Sequence, residues 1–195
     1  MFVVTPCAAG CGRPAVSGSN TCAIHAADAR GEAERIGDYI TGHDVIKDLS
    51  ACGLRFEGMD FSRRAFFGCN FSGASFSMCL FTKCRMRILF FDFCTFKNCD
   101  FSGSDLEFLS FAGSSISDCT FEGSNLIHIN YSGSVITETT FDNSDLYNSR
   151  FIKADIAHSD FENCNLKRNY FIKTRQEAVS FKASNAADMI FEIEE

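Results

Sequence analysis

An apolar residue returns at every fifth position along most of this 195-residue chain. Steps of five run from position 56 to position 191. Seventeen of the positions they reach are Phe, one is Tyr131, nine are Met, Leu, Ile or Ala, and only Gln176 breaks the series. Five matches neither the strand period of two nor the helical 3.6, so no ordinary element accounts for it. A fixed, self-similar period predicts a solenoid, in which each unit buries its apolar residue only by stacking on its neighbours. It also points to a binding protein rather than an enzyme. Ser and Asp are frequent because the repeat uses them, and no nucleophile elbow, phosphate loop or open metal triad stands among them. His43, His128 and His158 are dispersed, the last two on different sides of the expected rod.

A second period lies inside the first. Phe61, Phe81, Phe101, Phe121, Phe141, Phe161 and Phe181 recur at every twentieth position, and so do Phe71, Phe91, Phe111, Tyr131, Phe151, Phe171 and Phe191. The two series between them open with Phe and turn aliphatic, one through Ile116, Ile136 and Ile156, the other through Leu106, Leu126 and Leu146. A four-sided coil, each side one five-residue unit, follows from this, with two opposite sides aromatic and two aliphatic. That alternation fills a narrow tube without voids.

The residue two before each inward position is mostly Ala, Ser or Cys, which suits a tight corner. Seven of the eleven cysteines hold this position (Cys69, Cys79, Cys84, Cys94, Cys99, Cys119 and Cys164) and read as small buried thiols. The residue just before the inward one is often Asp or Asn, whose side chains bond turn backbone. The units Ser-Asp-Leu-Glu-Phe (104–108), Ala-Asp-Ile-Ala-His (154–158) and Cys-Asn-Leu-Lys-Arg (164–168) follow an A(D/N)LXX pattern. Residues 52–193 thereby resemble the pentapeptide-repeat proteins. The resemblance implies an all-β fold, a right-handed quadrilateral parallel β-helix of about seven coils over residues 51–195. At about 4.8 Å per coil the rod is roughly 30–35 Å long.

The N-terminal stretch, 1–30, is of another kind. Cys7, Cys11, Cys22 and His25 give the spacing C-x3-C-x10-C-x2-H, and Gly10 and Gly12 flank Cys11. Three thiolates and an imidazole complete a closed tetrahedral zinc site with no position left for a substrate water. The segment resembles short zinc ribbons and knuckles, and so small a piece needs such a staple. A loose tail of reduced cysteines and a Cys7–Cys22 or Cys11–Cys22 disulfide are the competing readings. Only Arg13 and Arg30 are basic there, a poor basis for nucleic-acid binding.

Residues 31–50 are expected to form a helical cap over the first coil. Ala33, Ile36, Tyr39 and Ile40 make one apolar stripe, and Val45, Ile46 and Leu49 make another after Gly42. No such cap follows the last coil, where Phe181, Met189, Ile190, Phe191 and Ile193 lie at a bare end. The expected cover is a second copy, in a homodimer joined through the C-terminal coils; a rearranged last coil is the alternative.

Two surfaces are candidates for a protein partner. Residues 100–149 carry eight acids and no Lys or Arg, whereas residues 51–99 carry seven Lys or Arg against three acids. Asp100, Asp105, Glu107, Glu122, Asp142 and Asp145 would form an acidic belt that repels nucleic acid and attracts basic clefts. The quinolone-resistance branch of the family, to which the Phe-x-x-Cys-x-Phe rhythm of residues 76–81 and 91–96 is similar, binds DNA gyrase as an acidic mimic of a duplex. The resemblance therefore implies gyrase or another topoisomerase as one partner; a solvated belt that keeps the rod soluble is the other reading. Phe67, Ile88, Phe108, Ile127 and Tyr147 form an outward apolar stripe, which either binds a protein or is covered by the N-terminal segment. The chain shows no signal peptide and no run long enough to span a membrane, so a cytoplasmic location is expected.

Overall fold

The computed structural model describes residues 4–192, so Ile193 lies outside the described residues. One side of the rod is a five-stranded parallel sheet of Val45–Lys47, Ala65–Phe67, Arg85–Arg87, Asp105–Glu107 and Asn125–Ile127 (β1, β3, β5, β7 and β9). The opposite side has seven strands: Arg55–Glu57, Ser75–Ser77, Thr95–Lys97, Ser115–Ser117, Val135–Thr137, Asp155–Ala157 and Arg175–Glu177 (β2, β4, β6, β8, β10, β11 and β12). Each pairing joins residues one coil apart, Phe56 with Phe76 and Ile136 with Ile156. The other two sides are parallel single-residue bridges, such as Phe90 with Ser110 and Leu80 with Asp100. The chain is thus the four-sided parallel β-helix that the longer period requires.

The aromatic residues stack as ladders through the centre. Phe101 lies 4.6 Å from Phe81 and 4.7 Å from Phe121, with interplanar angles of 5° and 6°. The opposite ladder runs through Phe91, Phe111, Tyr131 and Phe151 and meets the first edge to face, as Phe101 and Phe111 do at 87°. Such pairs contribute about 0.5–1.5 kcal/mol each beyond their buried area. One member is mismatched. Tyr131 is fully buried and its hydroxyl has no hydrogen-bond partner among the described residues. Tyr131→Phe should therefore raise stability by about 1–3 kcal/mol, the cost of an unpaired buried hydroxyl. A higher midpoint in thermal unfolding is the readout.

Corners repeat as regularly as sides. Ser104 Oγ donates to Phe81 O at 2.7 Å and accepts from Cys84 N–H at 3.0 Å. Cys84 Sγ donates in the same way to Phe61 O at 3.2 Å. Burial pushes the Cys84 and Cys94 thiols up to about 12, so they are packing groups and not nucleophiles. Two residues after each inward position the backbone turns left-handed. Glycine serves eight of these corners and other residues twenty, among them Met78, Ile88, Phe93 and Phe108 with φ between 53° and 58°. For bulky or β-branched side chains that conformation is costly.

The N-terminal end is closed by one helix, Ala29–Thr41 (α1). Asp28 caps it by accepting from Gly31 N–H at 2.9 Å, and Gly42 ends it. Ala33, Ile36 and Ile40 are buried in one continuous core with Ile46, Leu54, Phe56 and Phe61. Tyr39, expected in that stripe, is instead exposed and lies 4.3 Å from the His43 ring. The second helical stripe is corrected too. Val45–Lys47 is the first strand, paired with Ala65–Phe67, because Ile46 and Ala51 continue the five-residue series backwards. The solenoid therefore begins before position 51. Arg64 ties helix to rod, donating from Nη2 to Thr41 O at 2.9 Å.

Candidate metal centre and binding surfaces

Cys7, Cys11, Cys22 and His25 converge as their spacing suggests. Gly10 and Gly12, at φ of 71° and 74°, turn the chain tightly on both sides of Cys11. Cys7 N–H donates to Arg13 O at 2.9 Å, closing the loop. The four ligand atoms all lie within 4.8 Å of one another. Cys11 Sγ is 3.7 Å from Cys22 Sγ, and His25 Nδ1 is 3.6 Å from Cys7 Sγ and 3.4 Å from Cys22 Sγ. A tetrahedron with Zn–S of about 2.3 Å and Zn–N of about 2.1 Å has edges of roughly 3.8 and 3.6 Å, so the donor set fits zinc. No disulfide joins the cysteines of the described residues, and Cys11 Sγ and Cys22 Sγ stand 3.7 Å apart. The Cys7 thiol is held down to about 6, first by the Cys22 backbone N–H. Hydrogen bonding to the Cys7 sulfur raises His25.

The stripe expected as one surface divides. Phe67, Ile127 and Tyr147 stand in a column of the side, with the charged Arg87 and Glu107 between Phe67 and Ile127. Ile88 and Phe108 begin a ladder on the adjoining corner, left open by the described residues of the N-terminal segment. Ile88 and Phe108 are half exposed, while Phe67, Ile127 and Tyr147 are only partly so. His128, dispersed in the sequence, completes the ladder. Its ring stacks on Phe108 at 4.9 Å and 3°, and Tyr147 meets it edge-on at 6.0 Å. Asn148 lies 2.8 Å from His128 Nδ1, and Arg168 caps Tyr147 from 5.9 Å while donating to its hydroxyl. The sequence signal for His128 is its place one full coil above Phe108. Phe93, at 74% exposure, stands on another corner, over Gly113.

The acidic belt divides between two neighbouring sides. Asp105 and Glu107 are both claimed by Arg87, at 2.6 and 2.9 Å. Asp145 accepts from Tyr147 N–H and from the Asn165 amide, each at 2.9 Å. On the adjacent side Asp100 accepts from Ser102 N–H at 2.8 Å. Glu122 and Asp142 are successive members of one column there, and Glu162 follows them. Asp142 accepts from Glu162 N–H at 2.7 Å, and Glu162 accepts from Ser180 Oγ at 2.7 Å. The belt expected as one surface is thus a short run on one side and a paired cluster on the next.

Residues 74–151 match the sequence profile of the pentapeptide repeat region. These coils are pentapeptide repeats. No curated protein matches the chain in sequence. Among solved structures, the pentapeptide repeat protein Rfr23 from the cyanobacterium Cyanothece 51142 is 17% identical over 48% of this chain and 64% of its own, with a TM-score of 0.45. HetL of Nostoc sp. strain PCC 7120, a pentapeptide repeat protein involved in heterocyst differentiation regulation, is 10% identical over 83% of this chain and 96% of its own, at 0.38. QnrB1, a plasmid-mediated fluoroquinolone resistance protein, is 19% identical over 72% of this chain and 80% of its own, at 0.30. Likeness at this level concerns the backbone path and not what is bound.

The rod ends less regularly than it begins. Ala186–Asp188 is a 3-10 turn where a further strand of the first side would stand. Asn185 fills the gap, accepting from Leu166 N–H at 2.6 Å. Phe181 and Met189 are partly buried against the core, Ile190 is held by its bond to Asn169 O at 2.7 Å, and Phe191 is half exposed. The C-terminal end, bare in the sequence, is therefore partly closed by the last coil itself.

Proposed function

We propose that this pentapeptide-repeat chain is a non-catalytic scaffold that binds a protein partner along the corner of Ile88, Phe108, His128 and Tyr147. Its head is a structural Zn2+ knuckle held by Cys7, Cys11, Cys22 and His25, and its thiol-rich rod suits a reducing cytoplasm. One observation carries the reading. Phe108 is 53% exposed in left-handed backbone, at a corner position that elsewhere takes glycine eight times and a polar or charged residue fourteen times. A ring so placed costs the rod stability and buries little within it, so its contribution is to something outside. Aromatic residues beside Arg are the side chains that dominate protein interfaces. Through Phe191 and Phe181 the C-terminal end offers a surface to a second copy; a sedimentation coefficient that rises with concentration is the check.

The test is capture of a partner from host lysate at low and high salt. Binding should survive about 0.5 M salt, be lost with Phe108→Asp and persist with Glu122→Lys. Capture indifferent to Phe108→Asp would sink the reading. The run of Glu122, Asp142 and Glu162 supports a second one, an acidic mimic of DNA that engages gyrase or another topoisomerase. That reading requires inhibition in a supercoiling assay, weakened by salt and abolished by Glu122→Lys with Asp142→Lys.

A further inference from the structure

The N-terminal end of the rod is closed unevenly. On the second side the head itself extends the stack. Ser17 N–H donates to Ser50 O at 2.8 Å, and Ser17 Oγ accepts from Ser50 N–H at 2.8 Å. On the third side no chain does so. β2 is the outermost strand of its sheet and pairs only with β4. Ser75 N–H donates to Leu54 O and Gly58 N–H to Ser77 O, both at 2.9 Å. This alternation turns the backbone of Phe56 toward the next coil and the N–H and C=O groups of Arg55 and Glu57 away from it. Among the described residues nothing bonds those four groups.

That open edge is one wall of a groove of about 760 Å3. Ala29, Ala33 and the mutually paired Arg30 and Glu34 of α1 line it too, with Ile24 of the head and the apolar Leu54 and Met59. We infer that the groove takes an extended segment of a protein partner, added to β2 as a further strand. The backbone groups of an open strand edge, otherwise held by water, are a ready template for another extended backbone. The residue above Phe56 would point inward, to the apolar lining of the groove. Those above Arg55 and Glu57 would point outward, and neither Arg55 nor Glu57 has an ion pair among the described residues. Charge complementarity then specifies the segment: acid, apolar, base when it runs parallel to β2, and the reverse order when antiparallel. The edges of two copies would also match in charge. Each edge, however, is recessed between α1 and the head, which favours a slender peptide over a second rod.

The experiment uses fluorescent pentapeptides Thr-Glu-Val-Lys-Thr and Thr-Lys-Val-Glu-Thr, titrated with the full chain and followed by anisotropy. In any one strand direction one peptide has two matched and the other two clashing cross-strand charge pairs, so the peptide matched in the direction the groove favours should bind better, by up to about tenfold. Arg55→Glu with Glu57→Arg should invert the preference, and both changes lie on the exposed face where folding is undisturbed. Hydrogen exchange at the Arg55 and Glu57 amides should slow on saturation. Phe108→Asp should change nothing here, which separates this site from the corner. No saturation by about 1 mM, a binding energy under about 4 kcal/mol, would overturn the inference. So would a preference indifferent to the charge swap, or a chain that dimerises through this edge instead.

Discussion

Phe101→Ala should lower the stability of the rod by about 3–5 kcal/mol, the range for deleting a buried aromatic ring. The ring is fully buried. It is sandwiched between Phe81 and Phe121 and edged by Phe96 at 5.6 Å and Phe111 at 6.3 Å. Its neighbours cannot collapse into the void, because corner hydroxyls pin the coils: Ser104 holds Phe81 O and Ser124 holds Phe101 O at 2.9 Å. A solenoid is coupled only from coil to coil, so a gap at mid-rod also weakens the link between its halves. Urea unfolding should therefore broaden or split into two steps. Phe181→Ala, at the partly exposed end, should cost less and leave the transition single. Equal costs at the two sites would contradict nearest-neighbour coupling.

The fold is legible in the sequence because one term dominates it. Inward side chains recur at a period that no helix or strand shares, and the ladders from Phe61 to Phe181 and from Phe71 to Phe191 stand where that period puts them. The convergence of Cys7, Cys11, Cys22 and His25 is legible for a similar reason, since these residues are separated by short loops that leave few ways to meet. The start of the solenoid is not. Val45, Ile46 and Leu49 fit a helical stripe as well as a coil, and only the backward continuation through Ile46 and Ala51 decides between them. Surfaces are the least legible. Position along the chain groups the acids in one way, whereas faces depend on position within the coil. Arg87 thus reaches Asp105 and Glu107 from the coil before, and His128 joins Phe108 from the coil after.

Stripping Zn2+ from the head, or making Cys22→Ser, should unfold residues 5–26 and leave the middle of the rod intact. The head has little core of its own, so on the proposed reading metal binding would supply most of its folding free energy, on the order of 10 kcal/mol in small zinc modules. Cys22 is a buried member of the ligand set. Its loss leaves three donors, and the geometry of a closed site is gone. The effect should spread, but only so far. Val16 is buried in the same core as Ile36, Leu49 and Leu54, and Ser17 bonds Ser50 on the first coil. With the head gone, that coil loses its cover on the second side, while α1 keeps its own contacts through Ile36, Ile40 and Arg64. Amide exchange should thus accelerate across the head and around Ser50, and fall off within a coil or two. One equivalent of zinc per chain, released together with this loss of protection, is the expected result. Protection unchanged by complete removal of zinc would make the four ligands a bystander to a head that folds without it.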